Sequence, residues 1–207
     1  MDDERYEKLL GELDKTEVDY SRFNFSAADV LEFFDLFSSN GIPAWLDGGW
    51  GVDALVREQT RPHRDIDVVV PIDASVQLKS LLLDRGFSMD HDETRMPLRL
   101  VVLDTEHLLM IDVHFVDFQP DGSAVWTVPS YSESDDDSYT YTYTAEGFSG
   151  IGVIEGVPVP CLTLEEQVRC RTTRRYSFDD PDRQRANGIN ADIHDLRIIN
   201  KILEKEA

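Results

Sequence analysis

Lysine is nearly missing from this chain. There are five in 207 residues, against 26 aspartates, and the formal net charge is −21. A chain so short of cations has no broad basic face with which to follow a phosphate backbone, which disfavours a general nucleic-acid-binding role. Cysteine is equally scarce: Cys161 and Cys170 match no metal or redox spacing and read as plain core or surface thiols. No apolar run approaches the roughly 18 residues of a membrane span, and no basic-then-apolar opening resembles a secretory leader. A soluble, cytoplasmic protein is the expectation. Hydrophobic residues make up 41% of the chain, enough for a core, and the length suits one domain with at most a small appendage. The acidity has two readings. It would attract a polycationic small molecule, or it is a surface adapted to salt and solubility.

The most informative stretch runs from Trp45 to Val70, WLDGGWGVDALVREQTRPHRDIDVVV. A short apolar run ends at Trp45-Leu46 and is broken by Asp47-Gly48-Gly49. A helical pattern follows, with Val52, Leu55 and Val56 on one face. Asp65-Ile66-Asp67 then leads into Val68-Val69-Val70. Alternation along a strand would put Asp65 and Asp67 on one face, about 7 Å apart at Cα, with Ile66 turned to the core. Paired carboxylates repel unless a cation lies between them, and hard oxygen ligands suit Mg²⁺. Gly48 and Gly49 precede a helix start, where unpaired amides and the helix dipole favour an anion and the missing side chains allow close approach. A phosphate cradle followed by an aspartate pair points to chemistry on a nucleoside triphosphate.

Gly48-Gly49-Trp50 followed by Asp65-Ile66-Asp67 resembles the signature of the polymerase-β-type nucleotidyltransferase superfamily. The longer string LDGGWGVDAL…QTRPHRDIDV is similar to the lincosamide and aminoglycoside 2''-adenylyltransferases. The superfamily often carries Ser after its second glycine; Trp50 stands there, as in the antibiotic-modifying subgroup. A looser similarity continues through Gly156, Val159, Cys161, Glu166, Gln167, Val168, Tyr176 and Asp179. The resemblance implies an α/β fold: a polymerase-β-like core with a mixed sheet flanked by helices, and a smaller C-terminal part ending in helices. Residues 1–120 would form the core with its N-terminal helices. Residues 121–207 would form a hairpin and helical part that binds the acceptor.

Around this block, Tyr6, Leu9, Leu10 and Leu13 predict an amphipathic helix over residues 1–14. Ser26 reads as the cap of a helix with Val30, Phe33, Phe34 and Phe37 as its apolar stripe, closed by Asn40-Gly41. Residues 74–84 read as a helix burying Val76, Leu78, Leu81 and Leu82, stopped by Gly86. Strands are expected over 98–103 and 108–115. In the second, Asp112 and His114 face away from Ile111 and Val113. Either this is an edge strand whose polar face, with Asp117, meets water, or Asp112 lies beside the aspartate pair. The resembled family has a third acidic residue on a neighbouring strand, and Asp112 is the matching position. Val125, Trp126 and Val128 suggest a further strand. Ser130–Ser138 reads as a solvated acidic loop, with a cation site as the weaker alternative. Tyr139, Tyr141 and Tyr143 alternate with threonines, for packing or for stacking on a ligand. Residues 150–161 read as a hairpin turning at Glu155-Gly156, Pro181–Asn190 as an insertion, and residues 191–204 as a last helix. Arg169, Arg171, Arg174 and Arg175 either reach a triphosphate or pair with nearby acids. Arg61 and Arg64 are comparable candidates; His63 is either a weaker one or a loop residue that positions its neighbours.

The expected activity is Mg²⁺-dependent transfer of a nucleoside monophosphate, AMP from ATP, to a hydroxyl of a small-molecule antibiotic, releasing pyrophosphate. Asp65, Asp67 and Asp112 would be the catalytic and metal-binding set for two Mg²⁺ ions. Gly48, Gly49, Arg61, Arg64 and Arg171 would contact the nucleotide. Two alternatives stay open: a toxin-like nucleotidyltransferase acting on tRNA or protein, and a non-catalytic nucleotide sensor on the same fold. No membrane partner is expected, nucleic acid is disfavoured, and a homodimer is compatible with everything above.

Overall fold

Ser26 and Asp29 cap the first helix reciprocally. The Ser26 hydroxyl accepts from the Asp29 amide at 3.3 Å, and the Asp29 carboxylate accepts from the Ser26 amide at 2.8 Å. Two amides that a helix start leaves orphaned are thereby satisfied. Helix α1 then runs Ala27–Ser39 and buries Val30, Phe33, Phe34 and Phe37. Asn40 closes it, and Gly41 continues at φ +67°, the left-handed region that glycine enters without cost. This computed structural model describes residues 18–90, 94, 97–128, 139–173 and 188–206. The helix expected over residues 1–14, the acidic segment Ser130–Ser138 and most of the Pro181–Asn190 insertion lie outside the described residues, as do Arg174, Arg175, Tyr176 and Asp179.

The strands are β1 (Trp45–Asp47), β2 (Ile66–Pro71), β3 (Ser88–Met89), β4 (Arg99–Asp104), β5 (Leu109–Phe118), β6 (Ala124–Val128), β7 (Tyr139–Tyr143), β8 (Gly150–Ile154) and β9 (Val157–Cys161). The remaining helices are α2 (Gly48–Val56), α3 (Ser75–Asp84), α4 (Leu164–Thr173) and α5 (Gly188–Glu206). The sheet order is β3-β4-β5-β2-β1-β9-β8, and a β6–β7 ribbon branches from the end of β5. β2 and β5 are parallel, as are β1 and β9; the other pairs are antiparallel. This is the expected mixed sheet with helices. No helix among the described residues is long and apolar enough to cross a membrane.

Alternation sorts the strand residues into two cores. Ile66, Val68, Val70, Ile111, Val113 and Phe115 join the α1 phenylalanines in the larger cluster. Val69 and Val116 face the other way and pack with Tyr141, Tyr143, Leu162 and Cys170. Tyr141 and Tyr143 therefore serve packing, and both cysteines are buried and unbridged. Burial pushes the Cys161 thiol up to about 12.

Two expectations are corrected. Val76 is 75% exposed, and Lys79 lies inward instead. Helix α3 begins at Ser75, so its buried stripe is Ser75, Leu78, Lys79 and Leu82, and Val76 sits one step around the helix. The strand carrying Asp112 is not an edge. β5 lies between β4 and β2, and Asp112 and His114 are buried; of the three polar residues only Asp117 reaches water.

The β8–β9 hairpin turns at Glu155 and Gly156, with φ of +48° and +83°, as its sequence predicts. It joins the main sheet beside β1 and lies against α2. A Cβ on Gly152 would sit 2.5 Å from the Ala54 Cβ and 2.7 Å from its carbonyl carbon. Gly152→Ala should therefore destabilise the protein by about 1–3 kcal/mol. A urea-denaturation midpoint that does not move would show that helix and hairpin can separate freely.

Candidate functional site

Register builds the site. Asp47 on β1 pairs with Asp67 on β2, and Asp67 pairs with Asp112 on β5. Three aspartates thus stand abreast on adjacent strands, which run about 4.8 Å apart. His114, one pleat further along β5, faces the same way. One ligand atom each from Asp67, Asp112 and His114 lie within 4.8 Å of one another. Donors about 2.0–2.6 Å from one cation are separated by no more than about this distance, so the donor set fits a divalent ion. Asp65 lies just before β2 and is outside that three-residue group. Burial, and after it the charge of Asp112, push its carboxyl above the ordinary range, while Arg64, His63 and Arg61 pull the other way. A cation held beside Asp112 would relieve that repulsion. Arg99 on β4 holds Asp112 in a two-point pair, Nε to Oδ1 at 3.0 Å and the terminal nitrogen to Oδ2 at 2.5 Å.

The glycines are packed against this group. Asp47 caps α2, its carboxylate accepting from the Gly48 amide at 2.7 Å. Gly48 has φ +59°, and a Cβ there would fall 1.9 Å from an Asp67 carboxylate oxygen. Backbone conformation and the Asp67 carboxylate both require glycine. At Gly49 a Cβ would lie 2.3 Å from the Arg61 guanidinium and 2.5 Å from the His63 ring. The bare backbone at the helix start thus touches Asp67 on one side and a cation on the other.

Arg61 reaches back to the C-terminal helix. It donates to both carboxylate oxygens of Asp195 at 3.0 and 3.1 Å, and Arg171 on α4 donates to the same carboxylate at 3.1 Å. Arg61 also contacts His63 Nδ1 at 3.1 Å, and His63 Nε2 lies 2.6 Å from Asp53. An arginine donates only, so Nδ1 accepts and the proton sits on Nε2, facing Asp53. His63 bridges Arg61 and Asp53, which favours the second of its two readings, a loop residue that positions its neighbours. Of the two alternatives for Arg171, the structure shows pairing with acids: Asp195, and Asp192 at 3.8 Å. Arg61 is still close enough to Asp67 to feel its charge. Arg64 is exposed, beside Asp65.

The structure therefore gathers Asp67, Asp112, Gly48 and Gly49, with Asp65 and Arg61 at their margin, and sets Arg171 back against α5. Sequence reading passed over Asp47, Arg99, His114 and Asp195 as site residues. Asp47 and His114 carried a faint signal: Asp47 directly precedes Gly48, and His114 shares a strand face with Asp112. Arg99 and Asp195 carried none, because their partners lie across the sheet or the chain. A cleft of about 710 Å³ lined by Arg22, Asp29, Phe33, Arg85 and His107 contains none of these residues.

The sequence profile of the aminoglycoside-2''-adenylyltransferase family matches residues 29–188. The chain belongs to this family. Membership places it among enzymes of the nucleotidyltransferase type. A lincosamide resistance protein of Staphylococcus haemolyticus is 33% identical over 106 residues, 51% of this chain. The match spans 64% of that relative, just under two thirds of its length. A 2''-aminoglycoside nucleotidyltransferase of Klebsiella pneumoniae is 27% identical over 153 residues, 74% of this chain and 71% of that one. The lincomycin-bound lincosamide adenylyltransferase LnuA superposes with a TM-score of 0.66 at 24% identity, over 86% of this chain and 99% of that one. This likeness establishes the fold expected from the sequence.

Burial raises the pKa of Asp195, but Arg61 and Arg171 outweigh burial and hold it below the ordinary value. A depressed folded pKa stabilises the protein above the unfolded value of about 3.9 and ceases to do so as pH falls through the folded value. Asp195→Ala leaves two partly or fully buried guanidinium groups facing each other, a loss of about 3–5 kcal/mol at pH 7. Urea unfolding should show that gap narrowing near pH 3. A gap of equal size at both pH values would contradict the clamp.

Proposed function

We propose that this chain transfers AMP from ATP to a hydroxyl of a lincosamide or aminoglycoside antibiotic and releases pyrophosphate. One observation carries the proposal: Asp67 and Asp112 stand in register on adjacent parallel strands, directly beside the Gly48 helix start, in a member of this family. Asp67, Asp112 and Asp65 would hold Mg²⁺, two ions in the full complex. When bound, the metal neutralises charge on phosphate oxygens and lowers the cost of the in-line displacement. Gly48, its own amide committed to Asp47, leaves room for a phosphate, and the Gly49 amide meets it at the positive end of α2. Arg61 and Arg64 lie on the loop that enters β2 and bring positive charge to the same edge. Arg171 supports that loop through the shared Asp195.

Asp112 accepts the proton of the attacking hydroxyl. Arg99 fixes its plane before substrate arrives. Residues 121–207 supply the acceptor side. The relatives' names support both antibiotic classes, and the charge of −21 adds attraction for a polycationic aminoglycoside. ATP as donor places the reaction in the cytoplasm.

The test is pyrophosphate release with Mg²⁺ and each of the four NTPs across a panel of lincosamides and aminoglycosides. Asp67→Asn and Asp112→Asn should each lower turnover by at least about a thousandfold, since several kcal/mol of charge stabilisation is lost. Near wild-type rates in either variant would remove that aspartate from the mechanism. NTP binding without release on any antibiotic would redirect the search to a macromolecular acceptor or a sensor role.

A further inference from the structure

None of the roles above uses His114. Its ring is 5% exposed and lies on the carboxylate face of β5, two residues after Asp112. Nε2 is 3.5 Å from Asp112 Oδ1, and Nδ1 is 4.0 Å from Asp47 Oδ2. The ring stacks on Trp126 with centroids 4.7 Å apart and planes at 32°. Trp126 is itself anchored, its Nε1 donating to the Leu98 carbonyl at 3.0 Å. The imidazole thus has one fixed orientation, with a carboxylate behind one nitrogen and two carboxylates around the other.

The Trp126 stack fixes the plane of the ring and so aims Nε2 at the Asp112 carboxylate; Asp47, at 4.0 Å from Nδ1, is a charged neighbour too distant for a hydrogen bond. We infer that His114 is a nitrogen ligand of the cation held by Asp67 and Asp112, and that the site consequently favours Mn²⁺ and Co²⁺ over Mg²⁺. The inference rests on the proposed nucleotidyltransferase reading, in which those aspartates hold a divalent ion. Its chemistry is that of the donor set. Mg²⁺ prefers an all-oxygen octahedron, whereas a nitrogen among carboxylates raises affinity for first-row transition ions relative to Mg²⁺. The Arg99 pair does not block the assignment. A carboxylate has about four lone-pair sites, so Asp112 Oδ1 can accept from Arg99 and still face the ion beside His114.

The experiment is a Mn²⁺ titration of the full chain, with and without a non-hydrolysable ATP analogue, read by continuous-wave and pulsed electron paramagnetic resonance. Bound Mn²⁺ should show modulation from a directly coordinated histidine nitrogen. The pattern should change when the chain's five histidines carry ¹⁵N, which separates it from adenine nitrogens. Among the described residues His114 is the one histidine grouped with these carboxylates, so the labelled wild-type spectrum decides even if a variant does not fold. In His114→Phe, which keeps a ring against Trp126, the coupling should vanish and Mn²⁺ affinity should fall about tenfold or more, with Mg²⁺ affinity much less changed. Bound Mn²⁺ without histidine-nitrogen coupling, or coupling that survives His114→Phe, overturns the inference and leaves the nucleotidyltransferase reading standing. No Mn²⁺ bound in either condition overturns both.

Discussion

The alignment of β1, β2 and β5 is the constraint on which the molecule depends. It places Asp47, Asp67 and Asp112 side by side, and like charges directly opposite one another on a sheet repel. Two unit charges about 5 Å apart cost about 3 kcal/mol at an effective dielectric near 20. The apolar face of the same strands supplies the opposing term. Slipping β2 or β5 by one residue would turn Ile66, Val68 and Val70, or Ile111, Val113 and Phe115, out of the main core. Each such side chain is worth about 1.5–3 kcal/mol when buried. The six together contribute about 9–18 kcal/mol, more than the roughly 6 kcal/mol of two neighbouring carboxylate pairs, so hydrophobic burial holds the carboxylates together. Arg99 on Asp112 and the α2 start on Asp47 then absorb part of the remaining strain.

The C-terminal half is tied to this sheet by two buried carboxylates with several donors each. Glu166 accepts from the Tyr141 hydroxyl at 2.6 Å, the Thr144 hydroxyl at 2.8 Å and the Arg169 guanidinium at 3.0 Å. It joins β7 to α4. Asp195 accepts from Arg61 and Arg171 and joins α5 to the loop before β2. Buried charges persist when they are paired and fully hydrogen-bonded. Both clamps meet that condition, and the Asp195 clamp ends at Arg61, beside Gly49. Arg61 serves twice. It anchors α5 and leaves its positive charge beside Gly49 and Asp67. The position of the C-terminal helix and the electrostatics of the phosphate edge are therefore coupled through a single side chain.

Much of this was legible in the sequence, and the legible parts share a cause. Helix α1, the turn at Glu155-Gly156, the alternation of β5 and the Gly48-Gly49 break are local: capping, left-handed glycine and side-chain period act within a few residues. The order Asp65-Ile66-Asp67 and its distance from the glycines were enough to suggest a phosphate-and-cation site. What the sequence alone determined is that inventory: which residues are charged, which face each takes along its own strand and along α1, and where the capped or glycine-closed elements end. It could not decide which faces meet. Tertiary structure made β5 a central strand, brought Asp112 to Asp67, set His114 between two carboxylates, locked Arg99 onto Asp112 and turned Arg61 and Arg171 toward Asp195. The physical reason is sequence separation. Asp67 and Asp112 are 45 positions apart, and Arg61 and Asp195 are 134 apart. No local preference links such pairs; only burial of the intervening apolar faces and the strand register it enforces bring them into contact.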